Sequence, residues 1–155
     1  MRLEEKVLEL LLDKKLHISF VESCTGGMLA SRLISVSGAS GTIEQSYITY
    51  SNSAKEKMVG VSEETLKEAG AVSEACAMEM AFGGARVSQS DICVSVTGVA
   101  GPASEENKPV GLVYIGIYYK GMVRVIENRF SGDREQIRQS ACDSAFENII
   151  AILKA

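Results

Sequence analysis

The run Ser23-Cys24-Thr25-Gly26-Gly27 follows directly on Ile18-Ser19-Phe20-Val21-Glu22. It puts a hydroxyl at the mouth of a glycine-rich bend. The amides of Cys24 to Gly27 are then candidate first-turn donors for an anion or for a carbonyl gathering negative charge. A serine nucleophile needs a proton acceptor. The usual acceptor is histidine, and the chain has one, His17. If His17 and Ser23 share a strand, six residues at about 3.3 Å each hold them roughly 20 Å apart. Hydrogen-bond reach is about 3 Å. His17 therefore reads as a strand-entry residue, and lysine and tyrosine remain as bases.

The segment Tyr50-Ser51-Asn52-Ser53-Ala54-Lys55 supplies both. Lys55 can act as a base only if burial or a neighbouring cation lowers its pKa. Tyr50 could relay a proton or hold the lysine. A second glycine-rich bend, Thr97-Gly98-Val99-Ala100-Gly101-Pro102, offers another hydroxyl and close backbone amides. Gly132-Asp133-Arg134 opens the last helical segment, with Asp133 as its N-cap. Arg134 is then a first-turn cation, disfavoured by the helix dipole unless an anion is bound. Arg138 lies one turn later on the same face. Each feature has a plainer reading: a capping Ser23 or Thr25, a solvated Lys55, a rim Tyr50 and a simple loop at Thr97.

These residues need elements to hold them. Residues 2–14 and 28–36 have helical spacing, and 18–22 reads as a buried strand. The β-branched and aromatic residues of 42–51 predict a strand. Short helices are expected over 53–60 and from a capping Ser62. A longer helix, 74–87, is expected to be capped by Ser73 and to turn Ala75, Met78, Ala81 and Ala85 to the core. Residues 91–98 read as a central strand covered on both faces. Residues 110–120 and 122–130 read as a hairpin joined at Lys120-Gly121. The last helix presents Ile137, Ala141, Ala145, Ile149 and Leu153. The sum is a three-layer α/β/α sandwich with a mixed sheet of about five strands.

With 155 residues, the chain suits one domain, 1–155. A net charge of −4 argues against a general nucleic-acid binder. No apolar run approaches a membrane span, and the N-terminal MRLEEKVLELLLDKK does not read as a signal peptide. The four cysteines lack metal-ligand or redox spacing, which suits free thiols in a cytoplasmic setting. A metal site built on imidazoles has too few histidines. No cofactor is expected.

Taken in order, six segments resemble the CinA C-terminal domain family, whose enzymatic members are nicotinamide-nucleotide amidases of the PncC type. They are Glu22–Gly27, Thr49–Lys55, Gly70–Ser73, Val96–Pro102, Lys108–Gly111 and Gly132–Arg134. The resemblance runs from about residue 3 to 153 and is to the stand-alone form. It implies hydrolysis of the amide of nicotinamide mononucleotide to nicotinate mononucleotide and ammonia. Ser23 carries over as nucleophile and Lys55 as base, with Tyr50 assisting. Cys24, Thr25, Gly26, Asn52, Thr97, Gly98, Gly101 and Arg134 carry over to the substrate pocket. The chain departs from the family's usual glycines after Pro102, with Ala103-Ser104-Glu105-Glu106-Asn107, and from its threonine at Leu112. The partner expected is a small pyridine nucleotide. Self-association, a dimer foremost, is expected through the first helix or the hairpin edge. The alternative is a non-catalytic nucleotide- or protein-binding module linked to competence and recombination.

Overall fold

The computed structural model describes residues 1–155. Five strands lie in the order β2-β1-β3-β4-β5. They are β1 (Ile18–Glu22), β2 (Tyr47–Ile48), β3 (Ile92–Gly98), β4 (Leu112–Tyr119) and β5 (Met122–Arg129). Strands β2, β1 and β3 are parallel, while β4 and β5 run antiparallel to their neighbours. The sheet is mixed because β4 and β5 form the expected hairpin.

Six helices flank it: α1 (Leu3–Lys14), α2 (Met28–Ile34), α3 (Asn52–Val59), α4 (Glu63–Glu68), α5 (Glu74–Ser88) and α6 (Arg134–Lys154). Alternation along the central strands divides the core between two faces. Ile18, Phe20, Ile92, Val94 and Val96 join α1, α2 and α6 in the larger cluster. Val21 and Cys93 face the other way, toward α3 and α5. Two covered faces make three layers, as the sequence predicts.

The caps follow the sequence closely. Ser62, Ser73 and Asp133 accept from the Thr65, Cys76 and Gln136 amides at the starts of α4, α5 and α6. His17 lies just before β1, its amide donating to Asp91 Oδ2 at 2.8 Å. The face of α6 is also as expected, with Ile137, Ala141, Ala145, Ile149 and Leu153 all buried.

Two expectations are corrected. The strand predicted over 42–51 shrinks to Tyr47–Ile48, with one bridge from Ile43 to Ile18. This is an edge segment, and at Phe20 it is the Ser46 hydroxyl, not a backbone carbonyl, that accepts the β1 amide. A side chain replaces the ladder, so propensity alone does not make a strand. In α5 the buried face is Cys76, Ala77, Met80, Ala81, Gly83, Gly84 and Ala85, while Met78 and Ala75 are exposed. Close approach decides this rotation. A Cβ on Gly83 would lie 1.8 Å from the Val59 carbonyl oxygen, and one on Gly84 2.4 Å from Val21 Cγ2. Only the glycine face lets α5 sit this near α3 and β1.

Candidate active site

The site forms where β1, β2 and β3 end side by side. Ser23 is the first residue past β1, and its amide donates to the Val96 carbonyl at 3.0 Å, which ties it to β3. The Glu22 carbonyl accepts from the Thr49 amide at 2.8 Å, which brings the end of β2 alongside. Ligands in open α/β sheets gather at such carboxyl ends.

The N-terminus of α2 would ordinarily claim a nearby hydroxyl. Here Gly27, at φ 103°, is the N-cap and no side chain of the cap residue serves. Glu22 does so instead. Its buried carboxylate accepts from the Leu29 amide at 2.9 Å, the Ala30 amide at 3.1 Å and the Thr25 hydroxyl at 2.7 Å. Charge-assisted bonds at a helix N-terminus are favourable twice over, by hydrogen bonding and by the dipole. Ser23 is thereby left free of capping duty. Its hydroxyl has one partner in the chain, Lys55 Nζ at 3.0 Å.

Lys55 enters from α3, whose start is capped by Ser51. The side chain is 1% exposed. Nζ also donates to the Thr49 carbonyl at 2.7 Å and the Tyr50 carbonyl at 3.3 Å. No carboxylate lies within ion-pair distance of it. Burial drives its pKa below the ordinary lysine value, against a smaller opposing pull from Cys76, Cys24, Glu106 and Glu105. A neutral amine has two N–H groups and one lone pair, and the three neighbours match that inventory: two carbonyls accept and one hydroxyl can donate.

Tyr50 is 62% exposed, and it serves Lys55 through its carbonyl, not its phenol. The phenol oxygen accepts from Arg134 at 3.3 Å, and Arg134 also donates to the Gly101 carbonyl at 2.5 Å. Together with Ser23, Cys24, Gly98, Ala100 and Glu105, these two side chains line a cavity of about 100 Å³.

The remaining residues singled out from sequence fall outside that lining. The Thr97 hydroxyl donates to the Ala71 carbonyl at 2.8 Å and so braces the second bend. Thr25 is spent on Glu22, and the Gly26 amide donates to the Ser23 carbonyl at 3.1 Å. Asn52 opens α3 on the exposed side. The amides of Cys24, Thr25 and Gly27 make no hydrogen bond within the chain. Arg138 on α6 holds the bend from behind, donating to the Cys24 carbonyl at 2.9 Å and the Thr25 carbonyl at 3.0 Å. A peptide group's carbonyl and N–H point in opposite directions, so anchoring the Cys24 carbonyl on α6 turns the Thr25 N–H away from that helix.

The Cys24 thiol beside Ser23 is raised to about 12 by burial and is no rival nucleophile at neutral pH. Nowhere do three or more His, Cys, Asp or Glu side chains converge to hold a metal ion. No helix is long and apolar enough to cross a membrane.

Sequence reasoning assigned no part to Glu22, Ala100 or Glu105. The available signal for Glu22 was a carboxylate closing an otherwise apolar strand, since buried charges require partners.

A family description, CinA C-terminal domain, matches residues 1–153. The chain belongs to the CinA C-terminal domain family. It is 51% identical over 146 residues to a protein of Caldicellulosiruptor saccharolyticus named for competence-damage induction, covering 94% of this chain and 36% of that one. It is 43% identical over 153 residues to a CinA-like protein of Petrotoga mobilis, covering 98% of this chain and 38% of the relative. The chain thus spans little more than a third of these curated relatives. Among solved structures, a CinA superfamily protein of Klebsiella pneumoniae 700603 superposes with a TM-score of 0.96 at 30% identity, covering 99% of both chains. The competence/damage inducible protein CihA of Agrobacterium tumefaciens gives 0.91 at 38% identity, covering 99% of this chain and 96% of that one. The α/β fold with its five-stranded mixed sheet is therefore the CinA superfamily fold.

Proposed function

We propose that the chain is an amidase that hydrolyses the carboxamide of nicotinamide mononucleotide to nicotinate mononucleotide and ammonia. One observation carries the chemistry: Ser23 Oγ lies 3.0 Å from a lysine amine that is buried and has no carboxylate partner. Burying a lysine costs several kcal/mol unless something is gained by it. A binding-only module has no use for an amine sealed against a serine hydroxyl, whereas a nucleophile needs such a base.

The steps follow from the contacts. Neutral Lys55 takes the Ser23 proton as Oγ attacks the carboxamide carbon. The tetrahedral oxyanion meets the unoccupied amides of Cys24 and Thr25. Lys55, now an ammonium, returns its proton to the amide nitrogen and ammonia leaves. Water then attacks the acyl-Ser23 ester, gives a proton to Lys55, and releases the carboxylate with Ser23 restored. A cavity of about 100 Å³ is small beside typical ligand pockets of roughly 300–1,000 Å³. It suits the reacting end of the substrate, with the ribose phosphate lying outward past Arg134.

Ammonia release from nicotinamide mononucleotide tests the reading. Ser23→Ala and Lys55→Met are each expected to lower kcat by about a thousandfold or more. The methionine keeps the volume of the lysine stem and removes only the amine. Undiminished release by either variant would end the proposal.

A further inference from the structure

Glu105 shares the Ser23 cavity with Arg134, yet its carboxylate forms no hydrogen bond or ion pair within the chain. The loop that carries it is held on its C-terminal side. The Glu106 carboxylate accepts from the Ala71 amide at 2.9 Å and the Val72 amide at 3.1 Å. Lys108 donates to the Ala69 carbonyl at 2.7 Å, to the Val72 carbonyl, and to Glu106 at 3.2 Å. The Lys108 amide closes back on the Glu105 carbonyl at 2.7 Å. Glu105 is therefore an anchored residue presenting a free charge at the mouth of a catalytic cavity.

A free carboxylate there is not neutral in its effect on substrates. It repels an anionic ring, is indifferent to a neutral one, and attracts a cationic one. Resting on the amidase reading, we infer that Glu105 is a specificity-determining residue that favours amides borne on a cationic ring. Arg134, on the other side of the same opening, suits an anion. The two charges together describe a zwitterionic ligand, with a cationic ring beside Glu105 and an anionic group beside Arg134.

The same carboxylate also acts on Lys55, where its field favours the ammonium form. That effect is common to all substrates. A ratio between two substrates cancels it.

The test compares nicotinamide mononucleotide with its reduced form. Both have the same carboxamide, ribose and phosphate, but the reduced dihydropyridine ring is uncharged. The ratio of kcat/KM values, oxidised over reduced, is measured for the protein and for Glu105→Gln. The ratio is expected to fall about tenfold in the variant at low salt, and by less as salt screens this exposed group. An unchanged ratio overturns the inference. If the unaltered protein releases no ammonia from either compound, the amidase reading has failed separately. Calorimetric Kd values for the two compounds then give the ratio. Failure to bind, or a ratio that Glu105→Gln leaves unmoved, overturns the role of Glu105.

Discussion

Lys55 is the residue in which folding and chemistry are most directly opposed. A lysine in the unfolded chain titrates near 10.4, whereas burial lowers the pKa in the folded chain. Between those two values the unfolded chain binds the extra proton, so stability rises as pH rises through the window. Below the folded value the full penalty is present; above the unfolded one it is gone. The thermal midpoint is therefore expected to climb with pH across that interval, and Lys55→Met should flatten the climb. Activity depends on the same proton. Because the base works only when neutral, kcat/KM should rise through an apparent pKa below the ordinary lysine range. A pH–rate profile whose only limb sits at the unperturbed lysine value would contradict this. Little of it was legible beforehand. The segment Asn52-Ser53-Ala54-Lys55-Glu56-Lys57 reads as a polar helix, and two of its charged residues, Glu56 and Lys57, are indeed exposed. The scarcity of histidine and the family resemblance singled out Lys55, but burial is a property of the fold that polar spacing conceals.

Elements decide whether that pair of side chains stays aligned. The N-terminus of α2 is served by Glu22, so the helix start and the nucleophile do not compete for one hydroxyl. Glu22→Ala would strand the buried Leu29 amide and the part-buried Ala30 amide, at a cost of about 2 kcal/mol. For a chain of this size that lowers the melting midpoint by roughly 4–8 °C, measurable by calorimetry. Arg138→Met is expected to behave differently. It removes the two bonds that hold the Cys24 and Thr25 carbonyls, so kcat should fall about tenfold or more while KM changes little. A raised KM with kcat unchanged would assign Arg138 to binding instead. Element types and caps were readable because local signals (Ser62, Ser73, Asp133) act locally. The outward turn of Met78 and the shortening of β2 were not. Both follow from partners distant in sequence, Val59 against Gly83 and Ser46 against Phe20.

At the scale of the molecule, the sheet explains why a site exists at all. Three adjacent parallel strands deliver their carboxyl ends to one edge, and β5, the returning strand of the hairpin, ends at that edge too and leads into Arg134. Two covered faces were predictable from the continuous apolar run of β3. The convergence of the bends after β1 and β3 was predictable only as a class property of such sheets. The overall charge bears on partners. With a net charge of −4, the protein is expected to leave duplex DNA unshifted in a gel at physiological salt. Retardation there would favour the recombination-linked alternative.

The helix that opens at Arg134 reaches back to both bends, one residue gripping Gly101 and another gripping Cys24 and Thr25. A ribosome releases these parts in reverse order of need. The nucleophile and its base, Ser23 and Lys55, are made before the clasp that steadies them, Arg134 and Arg138. A nascent chain halted before residue 133 would contain Ser23 and Lys55 but lack the buried face of α6, so the site cannot be assembled until that helix has been made.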